Sequence, residues 1–142
     1  MSTESSESHS DLARSLDRLM RRVEAGVHRR AQAIDHDRIG PLGGMVLMTL
    51  AETSGLPMQA LAERTGRDKS QITRLVQMLE AKAAIEKRSC PTDRRVTLLW
   101  LTAKGCSMAE DLSRITGTVV AEILADLEES DRDVLVRVLS QF

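Results

Sequence analysis

The sequence is nearly without aromatic residues: Trp100 and Phe142 are the whole set, and tyrosine is absent. A core must therefore be assembled from Leu, Val, Ile, Met and Ala. Stacking of exposed bases on aromatic rings has little to work with, which disfavours single-strand binding. Cysteine is scarce too. Cys90 and Cys106 do not make the disulfide framework of a small secreted domain. A strand-like stretch between them holds them roughly 20 Å apart, beyond the Cα separation of about 7 Å that a disulfide tolerates. No apolar run approaches the length needed to span a bilayer. The first ten residues are polar and serine-rich, without the basic and apolar regions of a signal peptide, so a cytoplasmic location is expected. No nucleophile–base pair, phosphate loop or paired acidic motif stands out, which leaves an enzyme, or any cofactor, without support. His28, Asp35, His36 and Asp37 have metal-ligating chemistry. His28 and His36 lie two helical turns apart, so a solvated helix end is the better reading and no metal is expected.

What is present suits one soluble domain of 142 residues, 42% hydrophobic and 29% charged, long enough to bury a core without staples. The net charge is only −1, but it is unevenly spread. From Arg64 to Arg95, nine basic residues (Arg64, Arg67, Lys69, Arg74, Lys82, Lys87, Arg88, Arg94, Arg95) face four acids (Asp68, Glu80, Glu86, Asp93), a balance of +5 against −6 elsewhere. A basic middle between acidic ends suggests an electrostatic footprint for a polyanion.

Residues 1–10 read as a disordered tail. Asp11 then caps a long helix over about 11–36, with Leu12, Leu16, Leu19, Val23, Val27 and Ile34 at helical spacing. Such a helix is longer than a small lobe can cover, so part of its stripe is expected to meet another chain. Leu42–Glu52 reads as a short buried helix after Gly40-Pro41. Pro57 opens another that Gly66 stops, with Leu61 and Ala62 as core positions. Asp68 caps a helix over about 69–83 that buries Ile72, Leu75, Val76 and Leu79. Ile85–Cys90 and Val96–Leu101 are strand-like, joined by Pro91-Thr92-Asp93-Arg94-Arg95. Thr102 caps a second long helix with Met108, Leu112, Ile115, Val119, Ile123 and Leu127 on one stripe. Ser130 or Asp131 starts a last helix carrying Val134, Leu135, Val138 and Leu139.

Segment 57–83 has helix-turn-helix dimensions, and in such motifs the second helix enters the major groove. With its apolar face buried, that helix exposes Ser70, Gln71, Thr73, Arg74 and Gln77, side chains able to read base edges and hold phosphates. Arg67 and Lys69 flank its start. A hairpin with Arg94 and Arg95 at its tip and Arg88 on its first strand follows directly, which makes a wing. Arginine there suits a narrow minor groove, and Asp93 lies where its carboxylate can orient the Arg95 guanidinium. An amphipathic helix hairpin with an ordinary acidic-basic turn is the bland alternative. Cys90, near Arg88, Arg94 and Arg95, and Cys106, early in a helix, are read as unreactive thiols.

Over residues 57–105 the sequence resembles the MarR family of regulators. The matching residues are Asp68-Lys69-Ser70-Gln71-Ile72-Thr73-Arg74-Leu75-Val76, Leu79-Glu80, Ile85-Glu86-Lys87-Arg88, Pro91-Thr92-Asp93-Arg94-Arg95 and Leu101-Thr102-Ala103-Lys104-Gly105. The resemblance implies a dimer with interlocking first and last helices above two winged lobes. It also implies operator binding that a small ligand or oxidation weakens. Met45, Met48 and Met108 stand where the family often holds aromatic acids, although such residues are more often simple core. Two departures matter. The family usually places Gly at the end of the recognition helix, where this chain has Ala83-Ala84; a left-handed cap is costly for Ala, so the helix is expected to end differently or run on slightly. The peroxide-sensing branch has a reactive cysteine in the first helix, and this chain has none there.

The fold expected is mainly α with a small β-hairpin wing. A DNA-binding lobe over about 41–101 lies between dimerisation helices over about 11–36 and 103–142. Leu12, Leu16, Leu19, Val134, Val138 and Leu139 are the candidate dimer interface. The expected partners are a pseudo-palindromic double-stranded operator, a second copy of the chain and a small-molecule effector, with no membrane. The expected function is transcriptional repression relieved by ligand. The alternatives are a winged-helix protein-interaction module, or a small-molecule-binding protein without DNA binding.

Overall fold

The computed structural model describes residues 2–35 and 37–142, with side chains from Ser8 onward. Met1 and His36, the latter one of the residues with metal-ligating chemistry, lie outside the described residues. Among the described residues six helices and three short strands follow in the order α1 (Ser2–Ala31), α2 (Gly40–Glu52), β1 (Leu56–Pro57), α3 (Met58–Thr65), α4 (Lys69–Ala81), β2 (Ile85–Ser89), β3 (Thr97–Leu101), α5 (Ala103–Ile123) and α6 (Glu129–Leu139). Two compact units result: Arg30–Arg114, and the residues up to Arg29 together with Ile115–Phe142.

The Arg30–Arg114 unit holds the core. Val46, Leu47 and Leu50 of α2, Leu61 of α3, Ile72, Val76 and Leu79 of α4, Ile85 of β2 and Leu99 of β3 are all essentially inaccessible. Each aliphatic side chain so buried stabilises the fold by about 1.5–3 kcal/mol. Leu75, expected in this core, is only half-buried at its edge, as are Met45, Met48 and Met108. The strands form an antiparallel sheet in the order β1-β3-β2. Ile85 lies opposite Leu101, Lys87 opposite Leu99 and Ser89 opposite Thr97, while Leu56 pairs Leu99 from the other side. Strand β1 was not expected. Two residues carry no alternation, and only pairing with β3 defines them as a strand.

Local chemistry sets the helix ends. The Asp35 carboxylate accepts from the Ile39 and Gly40 amides at 2.9 and 3.1 Å, fixing the turn into α2. Gly66 closes α3 in the left-handed region at φ 62°, which glycine enters without a Cβ penalty. Asp68 caps α4 by accepting from the Ser70 amide at 3.1 Å, an arrangement worth about 1 kcal/mol. Thr102 caps α5 by accepting from the Gly105 amide at 3.1 Å.

In the other unit α1 runs the length of about 45 Å expected for 30 residues. It begins at Ser2, not after a disordered tail, and no Gly or Pro interrupts residues 2–10. Asp11 is therefore inside the helix, where its carboxylate pairs with Arg14 one turn on. At its other end α1 closes at Ala31, short of residue 36. Gly26 lies against Val119 so closely that a Cβ there would stand 2.6 Å from Val119 Cγ1. The last turns differ from expectation as well. Helix α5 stops at Ile123, so Leu127 sits in the following turn, where Arg132 donates to the Ala125 and Leu127 carbonyls at 3.0–3.1 Å. Helix α6 starts at Glu129 behind Glu128, slightly earlier than Ser130. Leu12, Leu16, Met20, Val134, Val138 and Leu139 are all more than two-fifths exposed. Among the described residues no helix is long and apolar enough to cross a membrane.

Candidate nucleic-acid interface

Helices α3 and α4 form the helix-turn-helix, with Gly66-Arg67-Asp68 between them. Helix α4 presents Lys69, Ser70, Arg74 and Gln77 to solvent, with Gln71 and Thr73 half-buried beside them. Its 13 residues give a rod of about 20 Å, suited to a major groove about 12 Å wide. The exposed side chains are not equally available. Thr73 Oγ1 donates back to the Lys69 carbonyl at 2.8 Å. The Ser70 hydroxyl bonds to the Asp68 carboxylate, and that bond, with the amides of the first turn, holds the Asp68 carboxyl below the usual carboxylate range. Arg67, Lys69, Arg74, Gln77 and Arg94 have no side-chain hydrogen bond or ion pair among the described residues.

The wing is the β2–β3 hairpin. Its tip closes where the Val96 amide donates to the Asp93 carbonyl at 3.0 Å and the Cys90 amide to the Val96 carbonyl at 2.9 Å. Arg94 and Arg95 are the central residues of that turn. Asp93 Oδ1 accepts from both the Arg95 amide, at 3.1 Å, and Arg95 Nε, at 3.2 Å. The Arg95 guanidinium holds the Asp93 carboxyl below its ordinary value, and the Arg95 side chain itself remains 91% exposed. Nearby, Cys90 Sγ lies 3.3 Å from Thr92 Oγ1. That contact and the Thr92 and Asp93 amides push the Cys90 thiol down. Both cysteines are free.

The basic block from Arg64 to Arg95 does not act as one surface. The Arg88 guanidinium stacks 4.8 Å from the centroid of Trp100 and pairs with Glu86, so this sequence-selected contact is already engaged on the sheet. Lys87 Nζ bonds Glu80 Oε2 at 2.9 Å, tying β2 to α4. Arg64 donates to Thr53 Oγ1 at 2.8 Å, tying α3 to the end of α2. Lys82 is half-buried at the end of α4, and Arg67, Lys69, Arg74, Arg94 and Arg95 remain as outward cations on the helix-turn-helix and the wing.

The end of α4 corrects the expectation drawn from Ala83-Ala84. The helix neither runs on nor avoids the left-handed cap. Ala83 takes φ 58°, and the Ala84 and Ala83 amides donate back to the Leu79 and Glu80 carbonyls, both at 2.9 Å. That is the bonding of a glycine-type helix stop. Its cost for Ala, about 1–2 kcal/mol, is offset from the start of α5. The Thr102 hydroxyl donates to the Ala83 carbonyl at 2.5 Å, the Thr102 amide to the Ala84 carbonyl at 3.1 Å, and Lys104 Nζ to the Lys82 carbonyl at 2.9 Å. Sequence reasoning used Thr102 only as a cap and gave Lys104 no role. The signal was present in Leu101-Thr102-Ala103-Lys104-Gly105, but its partners lie about twenty residues away.

Residues 44–97 match the family model described as MarR family. The chain is 27% identical over 96 residues to the HTH-type transcriptional regulator YdgJ of Bacillus subtilis, covering 68% of this chain and 58% of that protein. It is 26% identical over 103 residues to the HTH-type transcriptional regulator MhqR of the same organism, covering 72% and 71%. It thus spans little more than half the length of YdgJ. Among solved structures, Streptococcus pneumoniae FabT in complex with DNA superposes with a TM-score of 0.77 at 18% identity, over 94% of this chain and 93% of that one. At that identity the likeness shows the fold, a winged helix. The motif residues of α4 and the Asp93-Arg94-Arg95 wing tip stand inside the segment that matches the MarR family model.

Proposed function

We propose that this protein is a sequence-specific, double-stranded DNA-binding transcriptional regulator. In this reading it acts as a homodimer and a repressor, released from its operator by a small ligand. One observation carries the proposal: a single unit presents Arg74 and Gln77 on the outer face of α4 and an Asp93-braced Arg95 on the wing. Arg74 and Gln77, with Gln71, read base edges in the major groove. Arg67, Lys69 and Arg94 hold phosphates, Ser70 and Thr73 join them only by turning their hydroxyls away from Asp68 and the Lys69 carbonyl, and Arg95 enters the adjacent minor groove. Arg88 joins them only by leaving Trp100. The match of residues 44–97 to the MarR family model and the likeness of the fold to DNA-bound FabT support this reading. The exposure of Leu12, Leu16, Val134, Val138 and Leu139, with Leu19 half-buried beside them, supports a second copy as the partner that covers them. Two copies imply a pseudo-palindromic operator. Met45, Met48 and Met108, adaptable in shape, are the proposed lining for an apolar effector.

The test is selection of bound sequences from random duplex DNA, followed by affinity measurement against salt. An enriched inverted repeat is expected. Affinity should fall roughly a thousandfold between 50 and 200 mM salt if six or more phosphates are neutralised. Absence of enrichment with a flat salt response refutes the reading.

A further inference from the structure

The α1–α2 connection and the end of α4 are joined through one side chain. Lys104 Nζ lies 3.1 Å from Asp37 Oδ1 and 2.9 Å from the Lys82 carbonyl. Asp37 belongs to the turn that the Asp35 carboxylate fixes, and Lys82 is the C-cap residue of α4. The ammonium therefore meets two negative groups: a carboxylate, and a carbonyl at the negative end of the α4 dipole. A second close approach runs in parallel. Gly43 of α2 lies so near α4 that a Cβ there would stand 3.2 Å from Met78 Cε and 3.0 Å from Ile39 Cβ. Ile39 is itself a core residue at the end of the same turn. The segment entering α2 thus touches α4 at Met78 by packing and reaches Lys82 through a charge.

These contacts hold a helix end that is strained. Ala83 occupies a conformation natural to glycine. It is held there because the carbonyls of Lys82, Ala83 and Ala84 are each taken by a donor from the first residues of α5. Thr102 supplies two of those bonds within the α5 cap. Only Lys104 also reaches outside it, to Asp37. The Lys104 charge is already matched by Asp37.

We infer that Lys104 is a positioning residue for the recognition helix. By sharing its ammonium between Asp37 and the Lys82 carbonyl, it sets how α4 ends and passes to α4 any displacement of the α1–α2 connection. This deepens the DNA-binding reading and rests on it for its functional consequence, but the mechanical tie stands without DNA.

The experiment compares Lys104→Met, Asp37→Asn, the double variant and Lys104→Arg in the full chain, by amide hydrogen exchange without DNA and by binding to the selected duplex. Exchange at the Lys82, Ala83 and Ala84 amides should speed up about tenfold in Lys104→Met, the loss expected for one charge-assisted bond. Asp37→Asn should shift the same amides less, and the double variant no more than Lys104→Met alone. Lys104→Arg should restore protection. Operator affinity should fall in the same order, with the slope of affinity against salt unchanged. Unchanged exchange at those three amides overturns the tie. A slope lowered by about 0.9 in Lys104→Met overturns the positioning role, because Lys104 would then be a phosphate contact. Faster exchange spread over the whole core overturns it as well, as general destabilisation. If the wild-type protein selects no duplex, the DNA-binding reading fails while the exchange arm still decides the tie.

Discussion

Replacing Gly105 by Ala tests the junction between α4 and α5 most directly. A Cβ at Gly105 would stand 2.0 Å from the Ala84 carbonyl oxygen and 3.0 Å from its carbon, where ordinary contact begins at 3.4 Å. Backbone cannot swing aside as a side-chain tip can, so the start of α5 must retreat by more than about 1 Å. That movement stretches the bonds to the Ala83, Ala84 and Lys82 carbonyls. At about 1 kcal/mol net for each bond, the loss approaches 3 kcal/mol. The Gly-to-Ala gain in helix propensity returns about 1 kcal/mol. The net expectation is about 2 kcal/mol of destabilisation, a fall in melting temperature of about 6 °C for a chain of this size. Circular dichroism melts at matched protein concentration measure it. Gly117→Ala, in the same helix, is the control, since a Cβ there meets nothing within 4 Å; it should melt at or above the wild type. If Gly105→Ala behaves like Gly117→Ala, the junction is not the close contact described and the reasoning fails.

Other outcomes follow from the same geometry. Gly26→Ala should cost about 1 kcal/mol after its helix-propensity gain, because Val119 is buried and β-branched; adding Val119→Ala should make the second Gly26 change neutral or favourable by thermal melt. In a Cys106→Ser background, iodoacetamide should alkylate Cys90 with a pH midpoint below that of an ordinary thiol, and Thr92→Val should move the midpoint up; no response to Thr92→Val refutes the Thr92 contact as the cause. Arg88→Gln should change Trp100 emission, and operator binding that draws Arg88 off the ring should give a like change, whereas binding with no change in Trp100 emission leaves Arg88 as a structural residue. Arg74→Ala should cost roughly 1–3 kcal/mol of operator affinity and relax preference at one position per half-site, and Arg95→Ala should weaken binding with less effect on base preference. Asp93→Ala should resemble a milder Arg95→Ala; tighter binding would show that the carboxylate does not position Arg95. The Asp93 carboxyl is depressed by Arg95, so the brace is present above the unfolded carboxylate value and is lost only as pH falls through its lowered folded value. Wing-dependent binding should therefore stay flat from pH 8 down to about 5.

The sequence by itself determined whatever depends on neighbours within a turn or two. The spacing of Ile72, Val76 and Leu79 fixed the buried face of α4, and hence the outward face of Arg74 and Gln77. Asp68, Gly66 and Thr102 announced helix ends because their chemistry acts on amides and dihedrals close by in the chain. The strand-like stretches on either side of Pro91–Arg95 implied the hairpin and placed its two arginines at the tip. Tertiary structure decided what depends on distant partners. Leu56-Pro57 is a strand only because β3 lies beside it, and Arg88 stacks rather than projects because Trp100 stands diagonally across the sheet. Ala83 keeps a glycine-like conformation because Thr102 and Lys104, about twenty residues on, take the carbonyls around it. Steric crowding of the Ala83 Cβ disfavours that conformation by about 1–2 kcal/mol, and a few hydrogen bonds of similar size reverse the outcome. No periodicity records those bonds, because their spacing is set by the path of the chain through space.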